Sequence, residues 1–252
     1  MIKRKLYLDR VMPFVDKGIV KVFTGIRRCG KSVLLCQMQE ELRKQGVSSS
    51  RIISLNFEDV ANQPYLTAHA LNERITKLTV GKHGKWHIFL DEIQEVSHWE
   101  KCVNSLLLNP NYDLTITGSN AHLLSGELAT YLAGRYVEIP VYPFSFAELL
   151  QAVPASIRKD RTTAFRTYLT LGGMPFLVNL GYEEAPSRQY LEDIFRSVVL
   201  KDIVSRYEIR NVDLLERIIR FLMDGIGNAI SANSIAKFLR GEQRTVAPET
   251  IQ

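Results

Sequence analysis

The 252-residue sequence predicts an α/β fold, a parallel sheet covered by helices and followed by a wholly helical segment. Three observations predict it. Short apolar runs alternate with helically spaced segments through about residue 150, a glycine-bounded loop joins the first run to the first helix, and strand-like patterning stops after Phe146.

Residues 19–23 read as the first strand, stopping at Thr24-Gly25, and residues 32–44 as a helix with Val33, Leu34, Leu35, Met38 and Leu42 inward and Gly46 as its stop. Residues 51–57, 86–90, 114–117 and 136–141 are short, β-branched or aromatic, and bounded by polar residues or glycine, which predicts four more strands. Between them, residues 66–79 and 99–108 carry helical spacing. Helices are then expected at 146–151, 157–171, 187–207 and 212–223, interrupted at Gly172-Gly173-Met174-Pro175 and at Gly225-Ile226-Gly227-Asn228. Ser231 is a cap ahead of Ile235, Ala236, Phe238 and Leu239, and Pro248-Glu249-Thr250 reads as the start of a second helix in a helix-turn-helix. The chain stops at Gln252, so that motif reads as truncated. Domain boundaries follow at 1–150, 151–225 and 226–252.

Composition excludes several classes. With 46% hydrophobic and 23% charged residues the chain is neither disordered nor fibrous. The net charge of +5 is spread evenly, with 18 basic and 15 acidic side chains in residues 1–150 and 14 and 12 in residues 151–252, so neither part is a basic nucleic-acid arm. Cys29, Cys36 and Cys102 form no CxxC pair and the five histidines lack ligand spacing, which argues against zinc. The basic opening is followed by no long apolar core, so a cytoplasmic protein without membrane attachment is expected.

The chemistry is concentrated in three strand ends. Gly25-Ile26-Arg27-Arg28-Cys29-Gly30-Lys31-Ser32 fits G-x-x-x-x-G-K-[ST] between a strand and a helix, the context in which backbone N–H groups and a helix N-terminus wrap a polyphosphate. At average glycine usage the bare pattern arises by chance in such a chain about one time in a hundred. Lys31 is expected to reach the β and γ phosphates and Ser32 to coordinate Mg²⁺, with Val33 in the helix turn that completes the site. Arg27 and Arg28 are unusual inside such a loop; one is a γ-phosphate contact or both are solvated. Ile88-Phe89-Leu90-Asp91-Glu92 is a buried-type strand ending in two carboxylates, with Asp91 as the magnesium carboxylate and Glu92 as the general base for the attacking water. Thr117-Gly118-Ser119-Asn120 ends a third strand; Ser119 and Asn120 either contact the γ-phosphate or water, or cap a following helix at 121–124. Arg135 is a transition-state charge donor, in its own subunit or a neighbour's, or a surface ion-pair residue. No Asn-Lys-x-Asp guanine-reading motif occurs, which sets a GTPase reading behind ATP hydrolysis, and Glu92 suits water activation better than acceptor binding, which does the same for a phosphotransferase.

With GIRRCGKS, IFLDEIQ, ITGSN, LAGRYVEIPVYPFSFAEL and the late SIAKFL in order, the chain resembles the prokaryotic AAA-like P-loop NTPases with a C-terminal domain of unknown function. The resemblance implies a core sheet in the order 5-1-4-3-2, a helical lid, a winged helix and, in longer members, a nuclease-like domain. It also implies that Lys31, Ser32, Asp91 and Glu92 form the ATP and Mg site, that Asn120 or Ser119 is the sensor, and that Pro175 in Gly173-Met174-Pro175 lies near the adenine. A nucleotide-driven conformational switch is expected, with a nucleotide-gated DNA-binding or protein-interaction module as the alternative and a homo-oligomer among its partners.

Overall fold

The computed structural model describes residues 2–118, 132, 134–200, 203–204, 209 and 211–241. The chain divides into two compact units, Met1–Glu184 and Ala185–Gln252.

The first unit is built on five parallel strands: β1 (Val20–Thr24), β2 (Ile52–Asn56), β3 (Trp86–Asp91), β4 (Tyr112–Gly118) and β5 (Tyr136–Pro140). Their spatial order is β2-β3-β4-β1-β5, the expected 5-1-4-3-2 seen from the other edge. Every residue of β1, β3 and β4 is buried, because helices cover both faces of a parallel sheet. Successive side chains alternate between those faces. Val22, Leu90 and Ile116 join one core with Leu71, Ile75 and Val103 from α3 (Ala68–Thr79) and α4 (Trp99–Leu106). Phe23 and Phe89 join the other with Leu34, Met38 and Leu42 from α2 (Lys31–Lys44).

That second core also receives Tyr7, Leu8 and Val11 from a helix the sequence reading did not anticipate, α1 (Lys5–Val11). Its inward residues recur at helical spacing, but the lysines and arginines around them leave the segment reading simply as basic. Beyond β5 the Val141 amide donates to the Thr24 carbonyl at 2.7 Å and the Phe144 amide to the Gly173 carbonyl at 2.7 Å, so this strap is pinned at both ends. α5 (Phe146–Ala152) then starts at a capping box, Ser145 and Glu148. The helix expected over residues 157–171 is two helices, α6 (Ala155–Lys159) and α7 (Arg161–Leu171). Asp160 divides them: its side chain accepts the Thr162 amide at 2.9 Å and caps α7, an alternative to continuing the helix that apolar spacing does not register.

The second unit contains all but the first residue of α8 (Glu184–Ile194), with a π-helical turn at Phe195–Leu200, α9 (Val212–Asp224) capped by Asn211, and α10 (Ala232–Gly241). Phe221 and Phe238 stack with ring centroids 4.7 Å apart, joining α9 to α10. Residues 201–202 and 205–207 of the helix expected over 187–207, and the second helix near Pro248, lie outside the described residues. Among the described residues no strand follows Pro140, and no helix is long and apolar enough to cross a membrane.

Candidate functional site

β1 delivers Thr24 to the carboxyl edge of the sheet, where the chain must leave the strand without colliding with the strap beyond β5. Gly25 does so at φ +147°, and a Cβ there would lie 2.2 Å from the Val141 carbonyl oxygen, so the position admits only glycine. The loop turns back through Arg28 at φ +64° and reaches α2 at Gly30. Glycine offers no capping side chain, so the first amides of α2 remain available to an anion. Ser32 and Val33 are exposed on that first turn, Ile26 projects outward, and Cys29 is buried, its thiol pKa pushed up by burial. Lys31 is 3% exposed and folds back over its own loop, with Nζ donating to the carbonyls of Gly25 at 3.1 Å and Ile26 at 3.3 Å.

The same lysine nitrogen lies 3.5 Å from Glu92 Oε1, so the loop after β1 meets the carboxylates after β3. β4 stands between the two strands, and its Thr117 organises the meeting. The Thr117 hydroxyl donates to Asp91 Oδ1 at 2.5 Å and accepts the Glu92 amide at 3.0 Å. Asn56, in register with Asp91 on the neighbouring strand, donates to Asp91 Oδ2 at 3.3 Å. Glu92 leaves the strand in the left-handed region at φ +53°, and Gln94 Nε2 donates to its Oε2 at 2.6 Å. One Glu92 oxygen thus faces a cation and the other an amide donor. Thr117, Asn56 and Gln94 were missed in the sequence; each is a polar residue at or just past a strand end, a signal that marks position without marking partners.

Arg4 was missed as well. Although fourth in the chain it is 1% exposed, and Nη1 donates to the Cys29 carbonyl inside the loop at 3.0 Å. A Cβ built at Gly30 would lie 3.8 Å from Arg4 Nη1 and 3.9 Å from Pro175 Cγ, which places Pro175 beside the loop. Arg27 lines a pocket of about 390 Å³ with Phe57, Glu58, Asp59, Gln63 and Glu95.

One expected group is not brought to this edge, and another lies outside the described residues. Ser119 and Asn120 lie outside the described residues, as does the helix expected at 121–124. Arg135 precedes β5, with its carbonyl accepting the amide of Val20, the first residue of β1, and Nη2 donating to Asn104 Oδ1 at 2.6 Å. A parallel neighbour that begins where β1 begins sits at the amino edge, about one strand length of roughly 16 Å from the loop. That edge has its own buried cluster, where Lys21 Nζ contacts Asp113 Oδ1 at 2.5 Å and His87 Nδ1 lies 3.5 Å from Oδ2. Burial alone would raise the Asp113 pKa, but hydrogen bonds from His87 and Lys21 and the Asp16 amide outweigh it and hold the carboxyl below its usual range. The lysine already supplies the cation that this carboxylate would otherwise recruit.

A glycine loop closing onto a helix, an acidic strand end and a hydroxyl between them, on a 2-3-4-1-5 parallel sheet, define a P-loop ATPase fold. The family model described as an AAA domain matches residues 17–150, and the chain belongs to that family. Residues 162–249 match a domain of unknown function, DUF8612. An uncharacterised protein of Haemophilus influenzae is 39% identical over 252 residues, covering 100% of this chain and 62% of that one. Another, from Methanocaldococcus jannaschii, is 28% identical over 240 residues, 92% of this chain and 52% of its own length. The chain therefore spans about half to two thirds of these curated relatives. Among solved structures, the Walker-type ATPase PABY2304 of Pyrococcus abyssi is similar with a TM-score of 0.63 at 16% identity, covering 98% of this chain and 86% of that one. The ORC1 protein of Aeropyrum pernix, solved in complex with DNA, gives 0.50 at 15% identity, covering 100% and 81%.

Proposed function

We propose that this chain binds ATP with magnesium and hydrolyses it, and that the hydrolytic cycle drives a conformational switch in the helical segment that follows the sheet. The observation that carries the reading is the direct approach of Lys31 to Glu92, whose backbone amide Thr117 holds, since it joins a phosphate-binding loop to a carboxylate able to act as a base. The amides of residues 26–33 and the Lys31 ammonium hold the β and γ phosphates. Once phosphate oxygens draw Lys31 away, the Glu92 oxygen that faced it can accept a hydrogen bond from a water on the γ-phosphate. Thr117 and Asn56 fix the rotamer of Asp91 through its two oxygens.

The Ser32 hydroxyl and the Asp91 carboxylate are hard oxygen donors of the kind magnesium prefers, and they are the residues that would hold it. When bound, the ion neutralises charge on the phosphate oxygens. On this reading residues 1–150 are the ATPase core, 151–225 the helical lid with Pro175 against the base, and 226–252 the start of a winged helix. Ser119 or Asn120 senses the γ-phosphate, and Arg135, remote from the loop of its own chain, serves a neighbouring subunit of a homo-oligomer. Phosphate release from wild type, Lys31→Ala and Glu92→Gln tests the assignment: both substitutions abolish turnover, and equal rates in all three refute it.

A second reading rests on α10, where Ser231 and Ser234 cap each other, at 3.2 Å from the Ser234 amide to Ser231 Oγ and 3.0 Å in the reverse sense. Such a start suits a helix-turn-helix, and a nucleotide-gated DNA or protein partner with negligible turnover follows from it. Retarded migration of duplex DNA, weakening steeply with salt, supports this reading; no binding at low salt removes DNA as the partner.

A further inference from the structure

Arg4 holds polar contacts to the loop, to Glu148 and to the strap beyond β5, yet the hydrolytic scheme gives it no part. Its Nε and Nη2 engage both oxygens of Glu148, at 2.9 and 3.1 Å, the paired geometry a guanidinium forms with a carboxylate. Nη2 also donates to the Tyr142 carbonyl at 2.9 Å, and Nη1 to the Cys29 carbonyl at 3.0 Å. The rings of Tyr7 and Phe144 flank the cation at 4.4 and 5.2 Å. A buried guanidinium satisfied in this way has one orientation available to it.

The Cys29 contact carries a consequence for the loop. The described chain contains no cis peptide, and across a planar trans peptide the carbonyl and the next amide point in opposite directions. With the Cys29 oxygen turned onto Arg4, the Gly30 N–H is turned away from Arg4. Gly30, at φ +101° and without a Cβ, has little of its own to stop this peptide from flipping and presenting an oxygen where phosphate needs a donor.

We propose that Arg4 is a positioning residue for the phosphates: it locks the Cys29–Gly30 peptide with its amide towards the anion and ties the loop to Glu148 and the strap beyond β5. The proposal rests on the nucleotide-binding reading above. Lysine cannot replace it, because one ammonium cannot serve the Glu148 carboxylate and the Cys29 and Tyr142 carbonyls in the fork geometry. The N-terminal segment has a separate anchor in Gln37, whose Oε1 accepts the Arg4 amide at 2.9 Å and whose Nε2 donates to the Ile2 carbonyl at 2.5 Å.

The test titrates ADP with magnesium into wild type, Arg4→Lys and Gln37→Leu, with urea unfolding and ATP turnover measured alongside. Arg4→Lys is expected to weaken ADP binding and raise KM by about tenfold or more, while kcat at saturating ATP changes less than about threefold. Gln37→Leu is expected to lose stability and keep its affinity within about threefold. Binding by Arg4→Lys within threefold of wild type overturns the proposal, as do affinity losses in both variants that simply follow their stability. If Arg4→Lys does not fold, Glu148→Gln reads the same tether: weakened ADP binding supports it and unchanged binding overturns it. Wild type that binds no ADP overturns the nucleotide reading together with this one, whereas tight wild-type binding matched by Arg4→Lys removes Arg4 alone.

Discussion

Replacing Gly25 by alanine puts a methyl group where the structure has no room, and the cost can be worked out from two separate sources. The backbone at φ +147° belongs to a region that side-chain-bearing residues rarely adopt, at about 1–3 kcal/mol. The added carbon would also lie 2.2 Å from the Val141 oxygen and 3.1 Å from Cys29 Sγ. The Val141 carbonyl belongs to backbone pinned to Thr24, so it cannot swing aside as a side-chain tip would, and relieving such overpacking costs about another 1–3 kcal/mol. The sum is roughly 2–6 kcal/mol. If the loop holds its place, the penalty appears as lost stability in urea unfolding; if the loop moves out, it appears as lost ATP affinity, at tenfold for every 1.4 kcal/mol or so. The two losses, measured on the same sample, should add to at least about 2 kcal/mol. Gly25→Ala with both wild-type stability and wild-type affinity refutes the reasoning.

Gly173→Ala is a related case away from the phosphates: its Cβ would fall 2.1 Å from the Phe144 oxygen, so a loss of about 2–4 kcal/mol is expected in urea, overpacking plus the Phe144 amide bond to Gly173. Thr117→Val keeps the shape of β4 but leaves the Glu92 amide buried without its acceptor, at about 1–3 kcal/mol of stability, and lowers turnover; Thr117→Ser should restore both. Glu148 gives a pH dependence of defined sign. Burial alone would raise its pKa, but hydrogen bonds from Arg4 and Ser145 hold it below the unfolded value. The folded chain therefore binds fewer protons, so the contribution is complete above the unfolded pKa of about 4.3 and fades as pH falls through the folded one. The stability difference between wild type and Glu148→Gln should be flat above about pH 5 and shrink below about pH 4; a difference that grows on acidification contradicts the assignment.

Much of the fold was legible because it is written in local periodicity. Predominantly apolar runs such as 86–90 mark strands buried on both faces, and the spacing of Leu34, Leu35, Met38 and Leu42 marks the inward side of α2. The loop was legible for a similar reason, since glycine, lysine and serine at fixed offsets are demanded by the backbone path itself. Local pattern failed where a local side-chain bond competed with it, as at Asp160, and where a short amphipathic segment was masked by charge, as in α1.

By itself, then, the sequence determined which segments become strands and helices and that a phosphate-binding loop follows the first strand, because those properties depend on neighbours a few residues away. Only the tertiary structure decided which groups meet. Thr117 reaches Asp91 across 26 residues and Arg4 reaches Glu148 across 144, and neither partner carries a mark of the other. Parallel strands return to the same edge after every crossover helix, so side chains remote in the chain collect at one end of the sheet. That same rule leaves Arg135, at the start of β5, at the opposite end from Lys31.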